Sequence, residues 1–153
     1  MKAYVLPVEK ICNAHCKFCI THFRKMNAKQ LLNPAALEKI LKRINPERIE
    51  ITGGGEPTLH PAIGDIIAIC AKTAPSQLYT HGYFKFFPEI NRLSCLCISR
   101  HHYDNGINKE LMGVNCNMIK LRERVKVPLK LSLLLLKSGI NSLAELKNYL
   151  SWG

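Results

Sequence analysis

Apolar residues recur in this chain with two different periods, and the two alternate along its length. Residues 3–6 form a short apolar stretch that reads as a strand. Then Leu37, Ile40, Leu41 and Ile44 recur at i, i+3, i+4 and i+7, which predicts a helix with one buried face. Asn33 followed by Pro34 starts it as an N-cap with proline at the first helical position. Asn45-Pro46 stops it. Residues 48–52 predict a strand, ended by Gly53-Gly54-Gly55-Glu56-Pro57. Ile63, Ile66, Ile67 and Cys70 make a second helical stripe. Residues 77–80 and 94–99 predict strands that end at His81-Gly82 and at Arg100-His101-His102-Tyr103. Helical turns fall within residues 108–124, and residues 130–136 read as a fifth, strongly apolar strand. Ser142 and Glu145 form a capping box for a last helix, with Leu143, Leu146 and Leu150 predicted to face inward.

Five strand-then-helix units predict an α/β fold, a parallel sheet with covering helices in a single domain over residues 1–153. Each polar or glycine-rich cluster follows a strand, and that is the edge where such architectures build their sites. A length of 153 residues fits one domain with a core that needs no disulfide staples. The 47% hydrophobic content excludes a disordered chain. The amino terminus lacks a signal-peptide pattern, and the run at 131–136 is too short to span a bilayer. A cytoplasmic protein with no membrane association is therefore expected. Seven cysteines in a reducing compartment point to metal or redox chemistry before disulfides. The net charge of +11 is either a solvated basic surface or a means of meeting an acidic partner, such as nucleic acid or an anionic ligand. No nucleic-acid motif accompanies Lys39, Lys42 and Arg43, or Arg122, Arg124, Lys126 and Lys130.

The candidate chemistry begins at Cys12-Asn13-Ala14-His15-Cys16-Lys17-Phe18-Cys19, spaced C-x3-C-x2-C. Three close thiolates can hold three irons of a [4Fe–4S] cluster and leave the fourth without a protein ligand. Zinc is the rival, because Cys12, Cys16, Cys19 and His22 supply a mixed tetrahedral set for a non-catalytic zinc module. Softness does not separate these options, since thiolates suit both. The same spacing is also a helical stripe, although Asn13, His15 and Lys17 make a poor start for a buried helix.

The second motif separates them. With Phe18 in the aromatic position of C-x3-C-x-aromatic-C, and Gly54-Gly55-Glu56 ending the second strand, the sequence resembles the radical S-adenosylmethionine (radical SAM) superfamily. The resemblance implies a partial (β/α) barrel, here shortened to about five units where six are usual. It implies a [4Fe–4S] cluster on Cys12, Cys16 and Cys19, with S-adenosylmethionine chelated to the open iron. Reductive cleavage then yields a 5′-deoxyadenosyl radical that abstracts hydrogen from a peptide, a protein or a small metabolite. Nucleic-acid (tRNA) modification is the alternative within catalysis. A reductant such as flavodoxin or ferredoxin is implied as a partner. The missing sixth unit leaves three expectations: a compact member, a fragment of a longer chain, or a barrel completed by a partner chain.

The resemblance also implies cofactor-binding residues. Phe18 and the backbone of Gly53, Gly54 and Gly55 are expected there, because a ligand can approach bare backbone where there is no Cβ. Glu56 is expected to add charge beside the cofactor ammonium. Ser99 and Arg100 follow the fourth strand, with Arg100 able to fork onto a carboxylate. Asn141 follows the fifth strand, where relatives place an amide against the nucleoside. The third strand ends in Thr80-His81-Gly82 where many relatives have Thr-Asn-Gly. His101, His102 and Tyr103 are candidates to face the substrate, with His102 and Tyr103 the catalytic candidates. Cys70, Cys95, Cys97 and Cys116 read as core packing, because no close three-cysteine set exists among them.

Overall fold

The computed structural model describes residues 1–23 and 30–152. In chain order the strands are β1 (Lys2–Val5), β2 (Val8–Glu9), β3 (Gln30–Leu31), β4 (Arg48–Ile51), β5 (Ser76–Thr80), β6 (Cys95–Ser99) and β7 (Leu129–Ser132). The helices are α1 (Ile20–Phe23), α2 (Pro34–Ile44), α3 (Ile63–Thr73), α4 (Asn105–Met112), α5 (Met118–Arg124) and α6 (Leu143–Trp152). Short 3-10 segments occupy Pro57–Leu59 and Pro88–Arg92.

Five strands form one parallel sheet in the order β1-β4-β5-β6-β7, the sequential order of a partial β/α barrel. Strands β2 and β3 pair antiparallel beside it. The apolar face of the sheet packs on the helices: Ile49, Ile51, Leu78, Leu96 and Ile98 meet Leu37, Leu41, Ile63, Ile66, Ile67 and Cys70 in one core. The opposite face is polar. The register places Glu50 beside Gln77, Gln77 beside Cys95, Tyr79 beside Cys97, Cys97 beside Lys130, and Ser99 beside Ser132. In a parallel sheet covered on both faces, strands read as continuous apolar runs. The polar alternation here marks a face that turns away from the helices. Cys70 and Cys116 lie in the apolar core, whereas Cys95 and Cys97 sit on the polar face with their sulfurs 4.0 Å apart.

Several sequence expectations are met locally. Asn33 Oδ1 accepts from the N–H groups of Ala35 and Ala36, so the predicted cap begins α2 at Pro34. Ser142 Oγ accepts from the N–H of Glu145 at 3.2 Å, one half of the predicted capping box.

Other expectations are corrected. The helix stripe of α2 is narrower than predicted: Leu37 and Leu41 are buried, while Ile40 and Ile44 reach solvent. Strand β7 ends at Ser132, not at residue 136, and Leu134 and Leu135 are exposed. In α6 the buried residue is Tyr149, not Leu143 or Leu150, which are exposed. Tyr149 wins that face because its hydroxyl donates to the carbonyl of Arg100 at 2.8 Å, a bond no leucine can make. Among the described residues no helix is long and apolar enough to cross a membrane.

Candidate active site

The segment that carries the cysteines is a loop held from two sides. On one side, residues 8–11 run against the end of β4. The Lys10 N–H donates to Gly54 O at 3.0 Å, and the Glu56 N–H donates to Ile11 O at 2.8 Å. This contact explains the glycine run better than ligand access alone. A Cβ on Gly55 would lie 2.2 Å from Ile11 O, and one on Gly53 would lie 3.1 Å from Val8 O. On the other side, the carboxyl end of α4 accepts from the loop, with His15 N–H on Met112 O at 2.8 Å and Lys17 N–H on Leu111 O at 3.1 Å. Ala14 is buried there with Leu111, Met112 and Val114, and Cys16 and Phe18 pack on that cluster.

Cys12, Cys16 and Cys19 all open into one cavity of about 420 Å³, within the usual size range of small-molecule sites. Gly53, Gly55, Phe18, Ser99 and Ser132 line it too. Among the described residues no three His, Cys, Asp or Glu side chains are grouped to hold a single metal ion. The three thiols border one cavity, and soft thiolate donors of this kind suit an iron–sulfur cluster as well as zinc. Burial, reinforced by the neighbouring thiols, pushes the Cys16 thiol up to about 11, and burial also raises Cys12. Without a cation they are therefore held as thiols, and a bound metal would displace those protons. The side chain of His22, the fourth ligand of the zinc alternative, lies outside what the structure describes.

Glu56 stands at the back of the cavity and is fully engaged. Its Oε1 accepts from Thr58 N–H at 3.1 Å, Thr58 Oγ1 at 2.6 Å and Thr80 Oγ1 at 2.6 Å. Its Oε2 accepts from His81 N–H at 3.0 Å. The carboxylate thus clamps the ends of β4 and β5 together, which differs from the free charge expected for a cofactor ammonium. Gly54 O is likewise taken by Lys10, and only Gly53 and Gly55 of the run line the cavity.

Arg100 departs furthest from expectation. It is 1% exposed, and all five of its N–H donors have protein acceptors. Nε donates to His102 O, Nη1 to Asn115 Oδ1 and Cys116 O, and Nη2 to Tyr103 O and Asn105 Oδ1. The Trp152 ring covers the guanidinium at 4.5 Å. No donor is left for a cofactor carboxylate, so Arg100 organises the loop after β6.

Alternation along the chain explains which neighbours reach the cavity. Ser99 and His101 line it, while Arg100 and His102 point away. His102 is turned toward α6, with Nε2 3.4 Å from Glu145 Oε2, and Tyr103 stacks on its ring. Tyr103 Oη receives Asn148 Nδ2 at 3.4 Å. The two catalytic candidates therefore stand outside the cavity. Asn141 is exposed, donates to Lys137 O at 2.8 Å, and does not line the cavity either. Residues absent from the sequence-based set that do line it include Thr52, Tyr79, Ser132 and Leu134. For Tyr79 and Ser132 the available signal was strand parity with Cys97 and Ser99.

His101 is 4% exposed and meets the Phe18 ring edge-on with centroids 4.8 Å apart. Its Nδ1 accepts from Leu134 N–H, and burial holds the ring neutral, its pKa lowered to about 4. An unfolded histidine takes up a proton near pH 6.5. Stability from this ring is therefore whole above that pH, falls as pH drops, and levels off below about 4. The full loss is about 3 kcal/mol. Urea denaturation between pH 7 and pH 4 should show a shallower decline for His101→Gln than for the unmodified chain. Equal slopes would contradict the assignment.

A larger groove of about 800 Å³ lies on the outer surface between α2 and α3. It holds Lys42, Lys72 and Arg92 but no thiol and no residue of the glycine run, and Lys42 is paired with Glu38. The three cysteines, Gly53 and Gly55 meet at the smaller cavity instead.

Comparison with known proteins identifies the family and the fold. A family model described as the Radical SAM superfamily matches residues 6–146. The structure of Streptococcus suis SuiB bound to S-adenosylmethionine is similar, with a TM-score of 0.81 and 20% identity, over 99% of this chain and 37% of that one. SuiB bound to the precursor peptide SuiA gives a TM-score of 0.80 and 20% identity, over 99% of this chain and 36% of that one. TYW1 with a lysine-pyruvate adduct bound is more distant, with a TM-score of 0.55 and 19% identity, over 82% of this chain and 53% of that one. The chain thus spans little more than a third of the length of SuiB. No curated protein matches it by sequence.

Proposed function

Because the chain belongs to the radical SAM superfamily, we propose that Cys12, Cys16 and Cys19 hold a [4Fe–4S] cluster beside an S-adenosylmethionine site, and that the protein is a radical enzyme. One observation carries this reading: the three thiols and the backbone of Gly53 and Gly55 border the same cavity. A cluster and S-adenosylmethionine held there would supply one-electron cleavage of the sulfonium and, through it, removal of a hydrogen atom from the substrate.

The chain's own residues supply position. Cys12, Cys16 and Cys19 would hold the cluster at the cavity wall and would leave one iron without a protein ligand. Gly53 and Gly55 present backbone without side chains to the cavity. Phe18, His101 and Leu134 form one side of the cavity. Ser99 and Ser132, neighbours on adjacent strands, offer hydroxyls to a polar ligand. Glu56 and Arg100 keep the strand ends and the following loop in place. An external one-electron donor of the flavodoxin or ferredoxin type provides the electron. Edge strands β1 and β7 are where further elements, from this chain or a partner, would complete the barrel.

A peptide, a protein or a small metabolite is the proposed substrate class. The fold shared with SuiB, a protein solved with its precursor peptide, supports the peptide option. Anaerobic reconstitution with iron and sulfide tests the enzyme. Uptake of about four irons per chain, with 5′-deoxyadenosine formed on reduction, is expected. Stoichiometric zinc without cofactor cleavage would contradict it.

A further inference from the structure

Between the two anchors of the cysteine loop lies the stretch that carries the first thiol. Its flanks are fixed at Ile11 by the Glu56 N–H and at His15 by Met112 O. Cys12 and Asn13 are both exposed. Among the described residues, one hydrogen bond joins the intervening side chains to the rest of the fold. His81 Nε2 meets Asn13 Oδ1 at 2.8 Å, across 68 positions of sequence.

His81 is well suited to act as a fixed donor. It is 6% exposed. Its Nδ1 accepts from the Tyr83 N–H at 3.0 Å, which places the ring proton on Nε2. Its own backbone N–H is tied to Glu56 Oε2 at 3.0 Å, and that carboxylate also holds Thr80. Nε2 lies 2.8 Å from Asn13 Oδ1 and 3.3 Å from Glu56 Oε2, so Asn13 is its nearer acceptor, while Tyr83 and Glu56 hold the ring and the backbone in place. Asn13 directly follows Cys12, so the direction of its amide fixes the path of the chain at the first thiol.

The geometry points to His81 as a positioning residue for the cysteine loop: through Asn13 it fixes the approach of Cys12 to the cluster and so slows loss of iron. This rests on the reading that Cys12, Cys16 and Cys19 hold a cluster. Partners that orient ligands in this way typically contribute 10–100-fold to metal affinity.

The test uses the full chain, reconstituted anaerobically, and follows iron release to a chelator alongside the thermal melt of the cluster-free protein. His81→Phe and Asn13→Leu are each expected to speed release by roughly tenfold or more. The double variant should be no faster than either single one, because both remove the same bond. His81→Gln, which keeps an N–H donor, should recover part of the retention. Asn13→Leu changes an exposed residue, so it serves where His81→Phe folds poorly, and its melt should match the unmodified chain. Unchanged release in Asn13→Leu, or effects of the two variants that simply add, would overturn the role of His81 while leaving the cluster in place. An unmodified chain that takes up no iron would overturn the cluster reading itself, and this proposal with it.

Discussion

Cys16→Ala is expected to abolish both iron retention and formation of 5′-deoxyadenosine. Of the three thiols, Cys16 is seated most firmly in the fold. It packs on the cluster of Ala14, Leu111, Met112 and Val114, and its sulfur lies 3.8 Å from Met112 O. Removing it takes away one of the three proposed anchors of the cluster. The drop should exceed the roughly 10–100-fold cost of losing an outer partner, because a ligand itself is gone. The fold should survive, since the alanine leaves the two backbone bonds from His15 and Lys17 to α4 intact. Iron analysis, product analysis and a denaturation curve check the three parts together. Retained cleavage in a folded variant would remove Cys16 from the ligand set.

Gly55→Ala is expected to have the second largest effect, by a different route. The added Cβ would stand 2.2 Å from Ile11 O, 2.9 Å from Ile11 C and 3.0 Å from Ile11 N. Those atoms are backbone, so no rotamer change relieves the clash. Either β4 or the segment before the cysteines must shift, and the Glu56 N–H bond to Ile11 O goes with it. Overpacking of this kind costs about 1–3 kcal/mol. The functional loss should be larger than that stability loss, because the shift separates the thiols from the glycine edge of the cavity. Gly53→Ala provides the contrast, since the tightest contact of its Cβ is Val8 O at 3.1 Å and the next is an ordinary 3.6 Å. Affinity for S-adenosylmethionine and the denaturation midpoint, measured for both variants, check this. Equal and mild effects would show that the glycine run is an ordinary turn.

These two predictions differ in how far the sequence alone could reach them. The cysteine spacing and the glycine run were legible because each is a local pattern. So were the caps at Asn33 and Ser142, where one side chain serves a backbone N–H two or three residues on. Strand order was legible as well, because each strand pairs with the next parallel strand in sequence. What escaped are contacts that join distant segments. The demand that Gly55 leave room for Ile11 links positions 44 residues apart, and no local rule reveals it. Arg100 reads as an exposed cation beside a site until the loops at 102–105 and 115–116 fold around it. Glu56 reads as a free charge until Thr80 and His81 arrive to occupy it. His102 and Tyr103 drew notice by residue type, but alternation from Ser99 selects His101 for the cavity. In α6 the leucine stripe was plausible by period, and Tyr149 displaced it because a buried carbonyl at Arg100 required a donor.

The central claim is that three thiolates leave one iron open for the cofactor. Electron paramagnetic resonance of the reconstituted, reduced protein, recorded with and without S-adenosylmethionine, tests it most directly. The account predicts a [4Fe–4S] signal whose g-values change when S-adenosylmethionine is added. A well-formed cluster signal that S-adenosylmethionine leaves unaltered would contradict it.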